Sequence, residues 1–388
     1  MKREDIVLLS TADWDNPFWT NKQHVAVELA RRGHKVLYID SLGLRRPSAS
    51  AQDLKRIFRR LKKSLRPPQA VRENIWVWSP LVIPFQRYGF IRSLNRVLLN
   101  GGLRLWMKWL GIKPQIFWTY NPMTPRLISD KGFTKSIYHC VDEIKAQPGM
   151  PTEEIEAAEH ELVRGVDLCF VTAEHLLETR KALNPRTYYF SNVADYEHFA
   201  AARDSTTPLP ADLAAIKGPR IGFIGAISGY KMDFKLVRAV AEMHPEWSLV
   251  LIGKVGEGDP WTDPSILEGL PNLHLIGPRD YDSLPAYLKG FDVAILPAAL
   301  NEYTKSMFPM KFFEYLAAGK PVVSTRLHAL QGYEHVAYLA DDARDFAVGI
   351  EQALGGRTAS VDERLDVAKE QTYEKRTERM MKLVAEHV

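Results

Sequence analysis

Short apolar runs rich in β-branched residues alternate with longer stretches of helical period along nearly the whole chain. Strands are expected at Ile6-Ser10, Lys35-Ile39, Ile75-Trp78, Gln115-Thr119, Ser136-Val141, Asp167-Thr172 and Thr187-Ser191. A fresh series follows at Arg220-Ile224, Ser248-Ile252, His274-Ile276, Val293-Leu296 and Val322-Ser324. Helical patterns fall between them, near 21–32, 91–110, 153–164, 173–183, 233–244, 284–289, 307–318 and 342–353. Strands alternating in this way with helical stretches predict an α/β fold with parallel sheets and crossover helices. Between the two series lies Ala201-Gly218, polar, proline-containing and poor in aromatics, which reads as a linker. The expected organisation is therefore a first domain over 1–200, a linker over 201–218, a second domain over 219–361, and a charged C-terminal helix over 362–388 that packs back on the first domain. Such a pair leaves a cleft at the carboxyl ends of the strands, where open α/β sheets bind ligands.

Composition narrows this picture. At 388 residues, 46% hydrophobic and 25% charged, the chain is ordinary globular protein with room for two cores. A net charge of +4 is too small to argue for nucleic acid. The two cysteines, Cys140 and Cys169, sit in apolar strand-like runs and suggest neither a disulfide framework nor a metal site, in keeping with a reducing cytoplasm. The opening apolar run, Ile6 to Leu9, is too short for a signal peptide or a membrane span. Between Leu54 and Arg66, however, seven cations occur in thirteen residues with no acid. Arg56, Arg59, Arg60, Lys62 and Lys63 lie opposite an apolar face that includes Phe58, a pattern suited either to lying on an anionic bilayer or to packing that face on the domain while the cations face water. The expectation is a peripheral protein on the inner face of the plasma membrane.

The stretch from Ser306 to Thr325, SMFPMKFFEYLAAGKPVVST, carries the most chemistry. Its helix is apolar nearly all round, so the cation Lys311 and the anion Glu314, three positions apart, need partners that offset their desolvation. One possibility is that they simply pair with each other. The other is a nucleotide-sugar ligand, its diphosphate near the helix N-terminus and Lys311, its ribose hydroxyls donating to Glu314.

Several further fragments, in order, resemble those of GT-B glycosyltransferases that use nucleotide sugars, notably bacterial enzymes of exopolysaccharide and teichuronic-acid assembly, including the glucuronosyltransferase type. They are DWDNPFWTNKQHVAVELARRGHKVLYID, YHCVDE, SNVADYEHF, IGFIGAISGYKMD, LPAYLKGFDVAILP and PMKFFEYLAAGKPVVST. The resemblance implies two Rossmann-like domains facing across a cleft. In the second, Gly225, Lys231, Lys254, Arg279, Ser306, Lys311 and Glu314 are the implied donor-binding residues. Retaining members of the group place two glutamates eight positions apart; here the earlier position is Ser306, which favours inverting transfer. That chemistry needs a base, and the resemblance selects Asp142, at the carboxyl end of a strand, with Glu143 in reserve. The plain alternative for Asp142 is a helix N-cap. Trp14, Phe18, Trp19 and His24 are the implied acceptor-binding cluster, with an ordinary aromatic core as the alternative. Asp13-Trp14-Asp15 looks like the metal-binding DxD of the other major glycosyltransferase fold but comes immediately after the first strand, where that fold does not place it, so no metal or other cofactor is expected.

The implied activity is transfer of a sugar, hexosyl or glucuronosyl, from a UDP-sugar to a lipid-linked or polysaccharide acceptor. A glucuronate donor calls for an extra cation, for which Lys305 and Arg326 are candidates. A sugar-nucleotide epimerase and a nonenzymatic nucleotide-sugar binder are the rivals. A dehydrogenase is disfavoured, because no GxGxxG follows Ile6-Ser10.

Overall fold

Two sheets of buried strands, each covered on both faces by helices, organise the chain. The computed structural model describes residues 3–16, 19–43, 63–64, 66–83, 89–259 and 261–387. It falls into two units, Met1–Phe190 with Thr377–Val388, and Ser191–Arg376.

The first unit holds β1 (Ile6–Leu9), β2 (Val36–Ile39), β3 (Gln69–Arg72), β4 (Ile75–Trp78), β5 (Ile116–Thr119), β6 (Lys135–Cys140), β7 (Leu168–Val171) and β8 (Thr187–Tyr189). The second holds β9 (Arg220–Ile224), β10 (Ser248–Ile252), β11 (Leu273–Gly277), β12 (Val293–Leu296), β13 (Val322–Thr325) and β14 (Ala337–Ala340). Helices of six or more residues among the described positions are α1 (Asn21–Arg31), α2 (Gly89–Leu110), α3 (Thr152–Gly165), α4 (Glu174–Lys181), α5 (Phe234–Met243), α6 (Leu284–Lys289), α7 (Met310–Ala317), α8 (Ala343–Leu354), α9 (Val361–Glu370) and α10 (Tyr373–Glu386).

Strand order in the first unit is β3-β4-β2-β1-β5-β6-β7-β8, parallel except for the β3–β4 pair. In the second it is β11-β10-β9-β12-β13-β14, parallel throughout. The order reverses at β1 in one unit and at β9 in the other, and such switch points open crevices at the carboxyl ends of the strands.

Alternation along each strand builds two apolar layers per sheet. Ile6 and Leu8 join Val25, Ala26 and Leu29 of α1, whereas Val7 and Leu9 join Leu99, Leu103 and Met107 of α2. Likewise Val250 and Ile252 pack with Phe312, Phe313 and Leu316 of α7, and Leu249 and Leu251 with Val237, Val240, Phe346 and Ile350 of α5 and α8.

Three boundaries differ from expectation. Residues 201–218 are not a free linker: Ala202, Leu213 and Ile216 are buried in the second unit's core, because this polar stretch still spaces apolar side chains to reach it. The second unit begins at Ser191, not 219. The C-terminal pattern is two helices, broken between Glu370 and Tyr373. Leu365 and Ala368 of α9 are buried and lie in the second unit, while Met380, Met381 and Val384 of α10 enter the first unit's core. No helix among the described residues is long and apolar enough to cross a membrane.

Candidate active site

In the second unit, the loops after β9, β10 and β12 are stitched together at the switch point. The Ile227 N–H donates to the Lys254 carbonyl at 3.2 Å and the Gly256 N–H to the Ile227 carbonyl at 2.9 Å. On the other side, Ala299 N–H donates to the Lys231 carbonyl and Asn301 Nδ2 to the Tyr230 carbonyl, both at 2.9 Å. Gly225, Lys231 and Lys254 are thereby brought to one end of the sheet. The approach of backbones there is so close that a Cβ on Gly253 would lie 1.7 Å from the Gly225 carbonyl oxygen, so only glycine fits. Within this loop Ser228 is fully buried and its hydroxyl has no hydrogen-bond partner among the described residues. Lys231 places its ammonium 5.3 Å from the Tyr230 ring and 5.7 Å from the Tyr303 ring.

Beyond β12, Asn301 caps a short helix, Glu302–Lys305, by accepting from the Tyr303 and Thr304 N–H groups. Ser306 ends that helix and is buried. α7 then starts at Met310, later than the expected Met307, because Pro309 serves as its N-cap. A helix that leads into a parallel strand runs antiparallel to the sheet, so its N-terminus lies at the strands' carboxyl ends. Glu314 is nearly inaccessible, and its Oε2 accepts from Lys311 Nζ at 2.6 Å. Lys311 keeps 24% of its side chain exposed and hovers 5.8 Å over the Phe199 ring. The internal ion pair is thus formed, and it is buried on the carboxylate side. Burial, and then the charge of Glu314, push the phenol of nearby Tyr281 up.

Arg279 does not join this group. Its guanidinium donates to Asp212 and to the Tyr287 hydroxyl, each at 2.6 Å, and is occupied in fastening Asp212 to α6. Arg326 is similarly held by Asp341 at 2.5 Å, and Lys305 is exposed.

In the first unit the aromatic cluster forms at the switch point beside β1. Trp14 packs on Trp19 at 5.2 Å and on Tyr38 at 5.1 Å, and Trp19 meets His24 edge-on at 5.4 Å. Phe18 lies outside the described residues. The loop is pinned by Gln23, whose Nε2 donates to the Asp13 carbonyl at 3.1 Å, and by Asp40. Asp40 is buried at the end of β2; one oxygen accepts from Trp14 N–H at 2.8 Å and the other from the Ser79 hydroxyl. Burial pushes its carboxyl up to about 6, against the pull of those two hydrogen bonds. Asp40 is a functional candidate that sequence reasoning passed over, though a carboxylate closing the run VLYID at a strand's carboxyl end was a legible signal. Lys22 is another: it is buried in the first turn of α1, with its ammonium 5.9 Å from the Tyr120 ring.

Because the folded carboxyl of Asp40 binds its proton more readily than the unfolded one, its burial costs stability at neutral pH and that cost fades as pH falls from about 6 towards about 4. Asp40→Asn, which can still accept from Trp14, should therefore raise Tm at neutral pH and flatten the Tm profile across that window, with an upper bound of about 3 kcal/mol. A profile identical to wild type would show that Asp40 titrates normally.

Asp142 lies half-buried two residues past β6. It is not a helix cap: the following 3-10 turn, Ile144–Ala146, has Glu143 at its N-cap. Glu143 does not stand in reserve as a base. Its two oxygens accept from Arg180 at 2.8 Å each, and Arg180 also donates to Glu159 at 2.7 Å. Glu159 in turn accepts from the Tyr138 hydroxyl at 2.7 Å and the Cys140 thiol at 3.4 Å. This buried network grips the chain on both sides of Asp142. Burial drives the thiol of Cys140 well up and that of Cys169 to about 12. His139, fully buried, stacks on Tyr120 at 4.8 Å.

Of the expected membrane residues, Arg56, Phe58, Arg59, Arg60 and Lys62 lie outside the described residues. Lys63 is 2.5 Å from Asp15, so that cation has an internal partner.

Two α/β units of Rossmann type, the second with a stitched strand-end crevice and a buried lysine–glutamate pair, have the architecture of the GT-B glycosyltransferase class. Residues 218–355, within the second unit, match the family Glycosyl transferases group 1. TuaH of Bacillus subtilis (strain 168), which bears the name of a teichuronic acid biosynthesis glycosyltransferase, is 30% identical over 256 residues. That stretch covers 61% of this chain and 63% of TuaH, less than two thirds of the relative's length. Among solved structures, sucrose-phosphate synthase from Thermosynechococcus elongatus is similar over 99% of both chains, with TM-score 0.69 and 15% identity. HepE from Anabaena, solved with UDP-glucose, is similar over 98% of this chain and 99% of its own, with TM-score 0.66 and 12% identity. At those identities the structural likeness concerns the fold.

Proposed function

We propose that this protein is a metal-independent, inverting glycosyltransferase that moves a sugar from a UDP-sugar to a lipid-linked or polysaccharide acceptor. The observation that carries the reading is the buried Glu314, held by Lys311 in the first turns of α7, inside the segment matched to the group 1 glycosyl transferases. An ion pair sealed on its anionic side and open on its cationic side is suited to exchange partners. When donor binds, ribose hydroxyls donate to Glu314 and Lys311 turns to the diphosphate, joined by the positive end of α7 and by Lys231. These charges stabilise the leaving nucleoside diphosphate without a metal. Glucuronate remains a donor candidate through exposed Lys305; Arg326, bound to Asp341, is not used for it.

In the first unit, Asp142 takes the proton from the acceptor hydroxyl. The hydroxyl oxygen bonds to the anomeric carbon as the bond from that carbon to the diphosphate oxygen breaks, inverting the centre. The Trp14, Trp19 and His24 cluster supplies apolar faces for the acceptor. TuaH's name supports a polysaccharide acceptor, and the UDP-glucose in HepE supports a UDP-linked donor.

Thermal-shift titration with a panel of nucleotide sugars tests the donor assignment. One UDP-sugar should raise Tm in wild type, and Glu314→Gln should weaken its affinity by about 10- to 100-fold, the loss of a charged acceptor for hydroxyl donors. Equal stabilisation of wild type and variant, or no stabilisation by any nucleotide sugar, would remove the basis of the proposal.

A further inference from the structure

The helix α2 turns a continuous apolar stripe outward. Phe90, Val97, Leu105 and Trp109 are 71%, 69%, 58% and 63% exposed, and Leu94 and Leu98 are exposed as well. At 100° per residue these positions fall on one side of the helix, with Gly101 between them. The opposite side is fully employed. Leu99, Leu103 and Met107 are buried in the apolar layer beneath the sheet. Buried Asn95 accepts from the Ile83 N–H at 2.8 Å and donates to its carbonyl at 2.9 Å, and Asn100 accepts from the Ser129 N–H at 2.9 Å. With its inner side fixed by packing and by hydrogen bonds, the helix cannot roll its outer stripe inward. Six large apolar residues on one helix make a patch of the kind that marks an interaction surface rather than scattered exposure.

Charge identifies what covers it. The helix carries Arg92, Arg96, Arg104 and Lys108, all exposed, and no acid. In sequence, no aspartate or glutamate occurs anywhere between Glu73 and Asp130. Among the described residues no carboxylate pairs with any of the four cations. A second copy seated on this stripe would oppose like charges, and so would the cation-rich segment 54–66. An anionic lipid surface meets both demands at once, accepting the apolar side chains among its acyl chains and the cations among its headgroups.

We infer that α2 is a membrane-docking helix that lies flat on an anionic bilayer, inserting Phe90, Val97, Leu105 and Trp109 while Arg104 and Lys108 reach to the phosphates. At 22 residues it presents about 33 Å of contact along its axis. Arg104 borders the stripe and Lys108 falls within it near its C-terminal end, and long basic side chains so placed extend their charged ends to the headgroup level. The inference does not depend on the transfer reaction or on the segment 54–66.

Co-sedimentation of the full chain with phosphatidylcholine vesicles and with mixed phosphatidylcholine–phosphatidylglycerol vesicles tests it. Wild type should bind the mixed vesicles about tenfold more than the neutral ones, and Leu105→Glu/Trp109→Glu should lose about tenfold or more of that binding at unchanged Tm. Arg104→Gln/Lys108→Gln should abolish most of the preference for phosphatidylglycerol. Brominated lipid should quench wild-type tryptophan fluorescence more than that of Trp109→Phe, placing that indole in the acyl region. Three outcomes overturn the inference: the glutamate variant sediments like wild type; wild type is a lipid-free dimer that the glutamate variant dissociates; or neutralising Arg59, Arg60, Lys62 and Lys63 abolishes vesicle binding while the glutamate variant keeps it.

Discussion

On the proposed mechanism Asp142→Asn should lower the transfer rate by about 100- to 10,000-fold while leaving UDP-sugar affinity within a factor of about two, because it replaces the proposed proton acceptor and leaves the proposed donor-binding residues of the second unit unchanged. The asparagine is close in shape, and Asp142 caps no helix, so stability should change little. The measurement is kcat for sugar transfer alongside the Kd for the same donor by thermal shift or calorimetry. A kcat within threefold or so of wild type would show that the acceptor proton leaves by another route, since general-base catalysis supplies at least about a hundredfold. Equal losses in donor affinity would instead mark Asp142 as a binding or folding residue.

The second large effect belongs to Arg180, which sits between two buried carboxylates. Arg180→Met should cost about 3 to 5 kcal/mol, the usual consequence of stranding a buried charge by removing its partner. Urea unfolding at neutral pH measures it. The triple variant Arg180→Met/Glu143→Gln/Glu159→Gln should regain much of the loss, because no uncompensated charge remains. If the single variant is as stable as wild type at neutral pH, the network is not holding the chain. Because Glu143 and Cys140 flank Asp142, a partly folded Arg180→Met should also show reduced kcat.

How much of this was legible in the sequence depended on whether a feature is local. Buried parallel strands read clearly, since both faces must be apolar and runs such as IVLL and SLVLI have no other comfortable home. β3 was missed because all four of its residues are exposed at the sheet edge and only Ala70 and Val71 among them are apolar, too short a run to announce a strand. β14, Ala-Tyr-Leu-Ala, lacks the β-branched signature and is made a strand by pairing with β13. The stretch 201–218 read as a linker because polar composition masked Leu213 and Ile216. At the site, the Lys311–Glu314 spacing and its burial were both visible in one helix. The Arg180–Glu143 ion pair was not, since 37 positions separate the partners and only the sheet's crossover order brings α4 under β6. Arg279 pointed the other way: a cation at a strand end looked ready for a ligand, yet Asp212, 67 positions earlier, already holds it.

The depth at which Cys140 and Cys169 lie has a practical consequence. Their thiols are sealed from solvent and resist ionisation, and thiolate is the form that maleimides and iodoacetamides attack. The folded wild-type chain is therefore already silent towards such reagents. A cysteine placed at Leu105 or Trp109 would carry a fluorophore or spin label by itself, with neither native sulfur replaced.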